Sequence, residues 1–379
     1  MPHLKFIDTP DSLKEVCRVL ERSSWASVDT EADSLHHYVE KLSLVQITVG
    51  DEDYVIDPLV PLDLTELLGI LAQKSLILQA ADSDIRLFKK FYDFKPREVF
   101  DTMIAAQVLG YDRMGYADLV EKHCGIKLSK TEQKADWSRR PLEEKLIVYA
   151  ANDTRYLKPV RDAMESELKT LGRLEWHRQQ CQKLLLTLEQ LKTQDTDDSR
   201  DWQIKGSKEL KGQALTILRE LWLWRESLAK EKDKPPFKIL NAEYLVKIAQ
   251  WAVAHPNEDI AQWKEAPRNI KGEHREVINR LLKGAVSLPQ AEYRYPERTK
   301  FKIKWTDADT EALTKLKSAR EKMALDLKIH PSLLATNAAL EALVLAKPKD
   351  KGSLATLNLL LPWQIESAGG EFLNALVAI

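Results

Sequence analysis

The sequence predicts an α/β domain, a mixed sheet covered by helices, followed by two all-α helical bundles. Three observations support this fold class. First, short β-rich runs alternate with helical periodicity in the first hundred residues. Second, only helical periodicity follows a polar run near residue 200. Third, two helical stretches after that run share the same order of a helix, a proline-bearing turn and short helices. The predicted domains span residues 1–195, 207–287 and 303–379.

Five β-rich runs are predicted as strands of the first domain. The first three are spaced for hairpins; the fourth leads into the amphipathic helix DIRLFKKFY, and the fifth precedes the helix MIAAQVLG. These runs lie at residues 25–32, 43–50, 53–59, 75–81 and 97–102. From Tyr116 to about Leu191 the periodicity is helical, and residues 141–171 are predicted as one long helix with Pro141 in its first turn.

Bulk composition excludes several protein classes. The chain has 379 residues, 44% of them hydrophobic, which is enough for two or three domains with their own cores. No apolar run is long enough to cross a bilayer and no signal pattern opens the chain, so we expect a cytoplasmic protein that does not bind membranes. Three cysteines without CxxC spacing favour neither disulfides nor zinc.

The two halves of the chain differ in charge. Residues 1–199 hold 27 basic and 35 acidic side chains, net −8, whereas residues 200–379 hold 30 basic and 23 acidic, net +7. An acidic half joined to a basic half suits a metal-using domain tethered to one that holds a polyanion. A chance imbalance on solvated faces explains the charges equally well.

Four acids and a tyrosine are candidates for a catalytic site. Asp29 and Glu31 lie two apart on a predicted strand and therefore share one face, where a cation between them would offset their repulsion. Asp84 opens a helix, and Tyr149 lies four residues before Asp153 on another helix, so this pair also shares a face. Each element alone has a structural explanation.

Taken in their order along the chain, the sequence motifs that contain these residues resemble those of a known family. The motifs are SVDTEAD followed by LSLVQITVG, then LQAADSDIRLF followed by VFDTMIAAQVLGY, then YAANDTRYL. The set resembles the tyrosine-type branch of the DEDD exonucleases, whose domain is ribonuclease H-like, and within it the ribonuclease D family. Gln79 departs from the pattern, since many relatives have a histidine there, but it is not a ligand position.

The helical half resembles tandem copies of the domain named for helicases and ribonuclease D C-termini (HRDC). The first copy contains LWLWRESLAKEKDKPPFKIL, with a Trp-Arg pair and a proline turn. The second, AREKMALDLKIHPSLL, lacks the tryptophan before its arginine and is more divergent.

The resemblance implies a mechanism. Asp29, Glu31, Asp84 and Asp153 would hold two divalent ions, Mg²⁺ or Mn²⁺, with Asp29 bridging both. Tyr149 would orient the attacking water, because a phenol with a pKa near 10 is a poor base at neutral pH. The expected reaction releases nucleoside 5′-monophosphates from RNA with a single-stranded 3′ end, transfer-RNA precursors in particular, without a required protein partner.

Two alternatives remain open. The same acids and tyrosine serve DNA exonucleases, and HRDC-like domains also accompany DNA helicases. The second alternative is that the chain is a catalytically inactive nucleic-acid-binding module. The complete set of acids together with Tyr149 argues against it.

Several other residues are given structural predictions. Asp57 would sit at a strand end, Asp101 would cap the helix near Met103, and Asp82 would cap the helix that contains Asp84. Three histidines are expected to be satisfied or at the surface, and three basic residues before the last motif would either meet phosphates or carry solvated charge. These sets are His36, His37 and His123, and Lys130, Arg139 and Arg140.

Overall fold

The computed structural model describes residues 3–129, 131–191, 201–267, 270–293 and 305–377. These residues form two compact units. One contains the described residues up to 191, except 33–41, together with those after 304; the other contains residues 33–41 and the described residues from 201 to 293. Lys130 lies outside the described residues, as do parts of the two stretches that separate the predicted domains. In the described parts, no helix is long and apolar enough to span a membrane.

The sheet of the first unit is mixed, as predicted. Its strand order is β1-β4-β3-β2-β5-β6; β2, β3 and β4 pair antiparallel, and the other pairs are parallel. The strands are β1 (Leu4–Ile7), β2 (Trp25–Ala32), β3 (Leu42–Val49), β4 (Glu52–Ile56), β5 (Ser75–Leu78) and β6 (Glu98–Asp101). The five predicted strands are confirmed. The sequence reading missed β1, which has only four residues.

Helices cover both faces of this sheet. They are α1 (Pro10–Glu21), α2 (Thr65–Leu71), α3 (Asp82–Tyr92), α4 (Thr102–Leu109), α5 (Tyr116–Cys124), α6 (Glu144–Arg155), α7 (Leu157–Thr170) and α8 (Leu174–Gln190). One apolar cluster joins α3 to Val28, whereas another joins α6 to Leu44 and Val55. The helices α3 and α6 therefore approach the central strands from opposite faces.

The predicted single helix at 141–171 is wrong, although the stretch from Tyr116 to Leu191 does contain helices α5 to α8. Gly125, at φ +70°, ends α5, and Pro141 lies in an irregular segment before α6 begins at Glu144. The helix then breaks at Tyr156, whose backbone N–H donates to the Tyr116 hydroxyl at 3.2 Å. A tertiary hydrogen bond, which periodicity cannot reveal, accompanies this break.

Two modules of similar construction follow. Each has a long helix, a short helix beginning at a proline, and then further helices, which confirms the predicted repeat of features. The module in the second unit has α9 (Gln213–Glu231), α10 (Pro236–Ile239), α11 (Ala242–Ala254) and α12 (Glu273–Ala285). The module in the first unit has α13 (Asp307–Asp326), α14 (Pro331–Leu334), α15 (Asn337–Ala346), α16 (Lys351–Thr356) and α17 (Pro362–Val377).

A buried arginine braces each module in the same way. In the first, Arg225 Nη1 donates to the carbonyl of Leu240, at 3.4 Å. In the second, Arg320 Nη1 donates to the carbonyl of Ala335, at 3.1 Å. Both carbonyls immediately follow the short proline helix, so the arginine that the two sequences share fixes the same turn. The missing tryptophan does not disturb this brace.

The module that contains α13–α17 packs on the α/β part of its own unit. Trp176 of α8 stacks on Trp363 of α17, with ring centroids 4.4 Å apart and 19° between the planes. The side-chain oxygen of Gln179 accepts from the backbone N–H of Trp363 at 3.0 Å. Gly110, which follows α4, lies so close to the turn after α13 that an added Cβ would be 1.9 Å from the Lys328 carbonyl oxygen.

Candidate metal centre

Three of the predicted acids meet on the α6 face of the sheet. Asp29 and Glu31 alternate with Thr30 on β2, so both point toward α6, which contributes Asp153. One carboxylate oxygen from each acid lies within 4.8 Å of the others. Since hard divalent cations prefer carboxylate oxygens, this donor set fits such an ion.

Asp84 lies beside this trio rather than within it. Its position in the first turn of α3 leaves it 4% exposed, and its Oδ1 accepts a hydrogen bond from Thr30 Oγ1 at 2.6 Å. Among charged neighbours, Asp84 contributes most to the raised pKa of Asp29. The structure thus brings Asp29, Glu31 and Asp153 together, whereas Asp84, bonded to Thr30, lies outside this group of three.

Burial makes this cluster reluctant to ionise. The pKa of Asp29 is raised well above its usual value by burial, and further by Asp84, Asp153 and Glu31. Burial also raises the pKa of Glu31 to about 8, with added repulsion from Asp153 and Asp84. Burial likewise raises the pKa values of Asp84 and Asp153, each to about 7. A bound cation would favour the charged forms of all four groups at neutral pH.

Tyr149 stands one helical turn before Asp153. Its pKa is raised by burial and by the charges of Asp153, Glu31 and Asp29, so the phenol is neutral and able to donate a hydrogen bond at physiological pH. Its ring packs near Trp137, with centroids 6.0 Å apart. This aromatic contact fixes the ring on the side of α6 that faces the acids.

Contacts on both sides of Asp153 hold α6 against the sheet. Thr154 Oγ1 lies 2.8 Å from Thr48 Oγ1 of β3, and Arg155 Nε donates to Asp53 Oδ2 at 2.6 Å. The Tyr116 hydroxyl donates to the Asn152 carbonyl at 2.9 Å. The sequence reading missed these supporting residues. In the sequence, these residues are marked only by lying beside Asp153 in the motif YAANDTRYL, because their hydrogen-bond partners are distant in the chain.

Asp101 does more than the predicted helix cap. Its Oδ1 accepts from the N–H groups of Met103 at 2.8 Å and Ile104 at 3.2 Å, which confirms the cap on α4. The same carboxylate also accepts from the backbone of Ala80 at 3.1 Å and Ala81 at 2.8 Å, in the turn that starts α3. It therefore fixes the turn from which Asp84 projects.

The predicted cap by Asp82 is wrong. Asp82 is the first residue of α3, and its carboxylate pairs with Arg86, at 2.6 Å from Nε. Ala80, at φ +56°, turns the chain so that Ala81 takes the capping position, where no side-chain oxygen is available. The N–H groups of Ala80 and Ala81, just before the helix, instead donate to Asp101, which is distant in sequence.

The basic residues before α6 divide into different roles. Arg140 forms a two-pronged pair with buried Asp57, with Nε 2.5 Å from Oδ2 and Nη2 2.7 Å from Oδ1. Arg140 is thus held in a structural ion pair at the end of β4, a role that the sequence does not predict. Asp57 is structural, as predicted. Arg139 is exposed.

Two of the three histidines have ring contacts that agree with their structural prediction. His123 Nε2 lies 3.4 Å from the Tyr111 hydroxyl. His37 Nδ1 lies 2.7 Å from Asp233 Oδ2. Neither histidine belongs to the metal-ligand group on β2 and α6. Gln79, where a histidine was expected, donates to the Met114 carbonyl at 2.9 Å.

Comparison with known proteins agrees with the fold. Residues 4–169 match the family described as 3′-5′ exonuclease, and residues 214–258 and 309–376 match the HRDC domain. The ribonuclease D of Xanthomonas oryzae pv. oryzae is 30% identical, covering 91% of this chain and 92% of its own. That of Pseudomonas paraeruginosa is 28% identical, covering 99% and 98%.

Solved structures share the whole architecture. A protein from Bifidobacterium adolescentis superposes with a TM-score of 0.78 at 23% identity, and the match covers 99% of each chain. The Escherichia coli RNase D, described as an exoribonuclease involved in structured RNA processing, superposes with a TM-score of 0.68 at 24% identity, again over 99% of each chain. At these identities the structures establish the fold, and the sequence relatives establish the family. The chain belongs to the ribonuclease D family of 3′-5′ exoribonucleases.

Proposed function

We propose that this exoribonuclease removes nucleoside 5′-monophosphates from RNA with two divalent cations, Mg²⁺ or Mn²⁺. The proposed ligands are Asp29, Glu31, Asp84 and Asp153. The observation that carries the proposal is the convergence of three carboxylate oxygens within 4.8 Å, in a pocket that raises the pKa of every acid. Asp29 is the proposed shared ligand, since its pKa is raised by all three other acids.

The cations, when bound, would activate a water for in-line attack and stabilise the 3′-oxygen that leaves. The protein's own side chains then have separate tasks. The carboxylates fix the position of the reacting phosphate through the cations, and Thr30 orients Asp84 by its 2.6 Å hydrogen bond. Tyr149 keeps its proton and donates a hydrogen bond to the water or the phosphate, because its raised pKa makes it a poor base.

We propose transfer-RNA precursors with single-stranded 3′ extensions as substrates. The support is the family, together with the description of its Escherichia coli member as acting in structured RNA processing. All five proposed site residues come from one chain, so the proposal requires no partner protein.

We further propose that residues 1–195 form the nuclease domain and that residues 207–287 and 303–379 are two RNA-retaining modules. The shared arginine brace supports a common origin for the modules. The net charge of +7 over residues 200–379 supports retention of a polyanion without sequence readout.

The test is digestion of a 3′-extended transfer-RNA precursor with Mg²⁺, with Mn²⁺ and with EDTA. We expect stepwise shortening from the 3′ end and release of 5′-monophosphates only when metal is present. A single-stranded DNA of the same tail sequence separates the ribonuclease from the DNA exonuclease reading. Internal cleavage, or products with 3′ phosphates, would contradict the mechanism.

A further inference from the structure

Gln46 is a polar residue in the interior of the nuclease whose side chain has no evident structural role. It lies on β3, whose eight residues are all buried, and is itself 0% exposed. Neither its Oε1 nor its Nε2 has a hydrogen-bond partner among the described residues. A buried carboxamide without partners destabilises the folded state, so an apolar residue would serve the core better.

The neighbours of Gln46 on the same face of β3 have structural roles that Gln46 lacks. Leu44, two residues before, packs in an apolar cluster with Trp137 and Ala150. Thr48, two residues after, is fully engaged: it donates to Asp53 Oδ1 at 2.7 Å and lies 2.8 Å from Thr154 Oγ1. A structural reason for a polar side chain therefore exists at Thr48 but not at Gln46.

The register of the sheet places Gln46 beside the metal centre. Gln46 is the direct cross-strand partner of Asp29, so the two side chains share a face with their Cβ atoms roughly 5 Å apart. Ser27, two residues before Asp29, lies diagonally across from Gln46 on that face. Its hydroxyl is also buried without a partner. Three buried polar atoms without partners, Gln46 Nε2, Gln46 Oε1 and Ser27 Oγ, therefore belong to residues that neighbour Asp29 on this face.

We propose that Gln46 is a positioning residue of the metal centre, an inference that rests on the proposed function. Its carboxamide Nε2 donates to ionised Asp29 when the cations are bound, and its Oε1 accepts from the Ser27 hydroxyl. This arrangement satisfies all three atoms. A donor to a ligating carboxylate favours the charged form and fixes its orientation, as outer-shell partners do at other metal sites.

The decisive variant is Gln46→Met, which keeps the approximate volume and removes the amide. We measure Mn²⁺ affinity by calorimetry on the full chain without RNA, and the thermal midpoint in EDTA. The Kd for Mn²⁺ should rise about 10- to 100-fold. The midpoint should stay equal or increase, because an unpartnered amide has left the core. Ser27→Ala should raise the Kd about two- to tenfold.

Ile47→Val is the matched control, since Ile47 is equally buried on the same strand but faces the opposite side of the sheet. It should lower the midpoint and leave Mn²⁺ affinity unchanged. Gln46→Met with wild-type affinity, or with a loss of stability like that of the control, would overturn the inference alone. A wild-type protein that binds no Mn²⁺ would overturn the proposed function and this inference with it.

Discussion

The ionisation of the clustered acids makes the stability of the metal-free protein depend on pH. Asp84 and Asp153 have pKa values of about 7, and Glu31 of about 8, whereas unfolded carboxyl groups titrate near 4. Between these values the folded state binds more protons than the unfolded state. The stability contributed by these groups is therefore present at low pH and decreases as pH rises toward 8.

We expect the thermal midpoint in EDTA to fall between pH 5 and pH 8, and Mn²⁺ to raise it more at pH 8 than at pH 6. Asp153→Asn removes one repelling charge and should flatten the profile. The measurement is scanning calorimetry with and without metal. Profiles that rise with pH equally in both proteins would contradict the assignment of raised pKa values.

Tyr149 and Asp29 are separable by mutation. Tyr149→Phe removes only the hydroxyl that orients the water, so turnover should fall by about 10²- to 10⁴-fold while Mn²⁺ affinity stays near wild type. Asp29→Ala should abolish both, since it removes the proposed shared ligand. Single-turnover RNA digestion and calorimetry distinguish these results. Undiminished RNA degradation by either variant would exclude the proposed site.

At the scale of elements, Asp101 connects the starts of α3 and α4. Asp101→Asn replaces one accepting oxygen by an N–H₂ group, which would face a backbone donor of the α3 turn or of the α4 cap. We expect a loss of about 1–3 kcal/mol in unfolding free energy, measured by denaturation, together with weaker metal binding through Asp84. Asp82→Asn is the control, because its exposed pair with Arg86 contributes at most about 0.5 kcal/mol.

The sequence predicts elements well where the signal is local. Periodicity located five of the six strands and the order of helices in both modules. The two-residue spacing placed Asp29 and Glu31 on one face, and the four-residue spacing placed Tyr149 and Asp153 on another. Sequence prediction failed where distant residues decide the backbone. The break at Tyr156 accompanies a bond from Tyr116, the turn before α3 is held by Asp101, and Arg140 is captured by Asp57.

The site shows the same division. The ordered motifs predict the four acids and Tyr149, and three of those acids, Asp29, Glu31 and Asp153, meet because α6 packs on β2. The sequence pattern does not single out Gln46, because its unusual property is a buried side chain without a hydrogen-bond partner among the described residues of the folded chain. Burial without hydrogen bonding has no signature in a strand pattern.

For the whole molecule, the charge asymmetry predicts salt-sensitive RNA binding. The affinity of the Asp29→Ala protein for a 3′-tailed structured RNA should fall by about 10³-fold or more between 50 and 200 mM salt, if at least six phosphates are contacted. Filter binding over a salt series measures the slope. A flat dependence would exclude electrostatic retention by the basic half.

The stacked tryptophans between α8 and α17 give the molecule a built-in optical reporter. Two indoles 4.4 Å apart and nearly parallel couple their electronic transitions, so the pair should produce a circular dichroism signal that neither ring produces alone. Trp363→Phe should remove that signal. Since Trp176 belongs to the nuclease and Trp363 to the module that contains α13–α17, the intensity of this signal during heating would reveal whether that module detaches from the nuclease before either one melts.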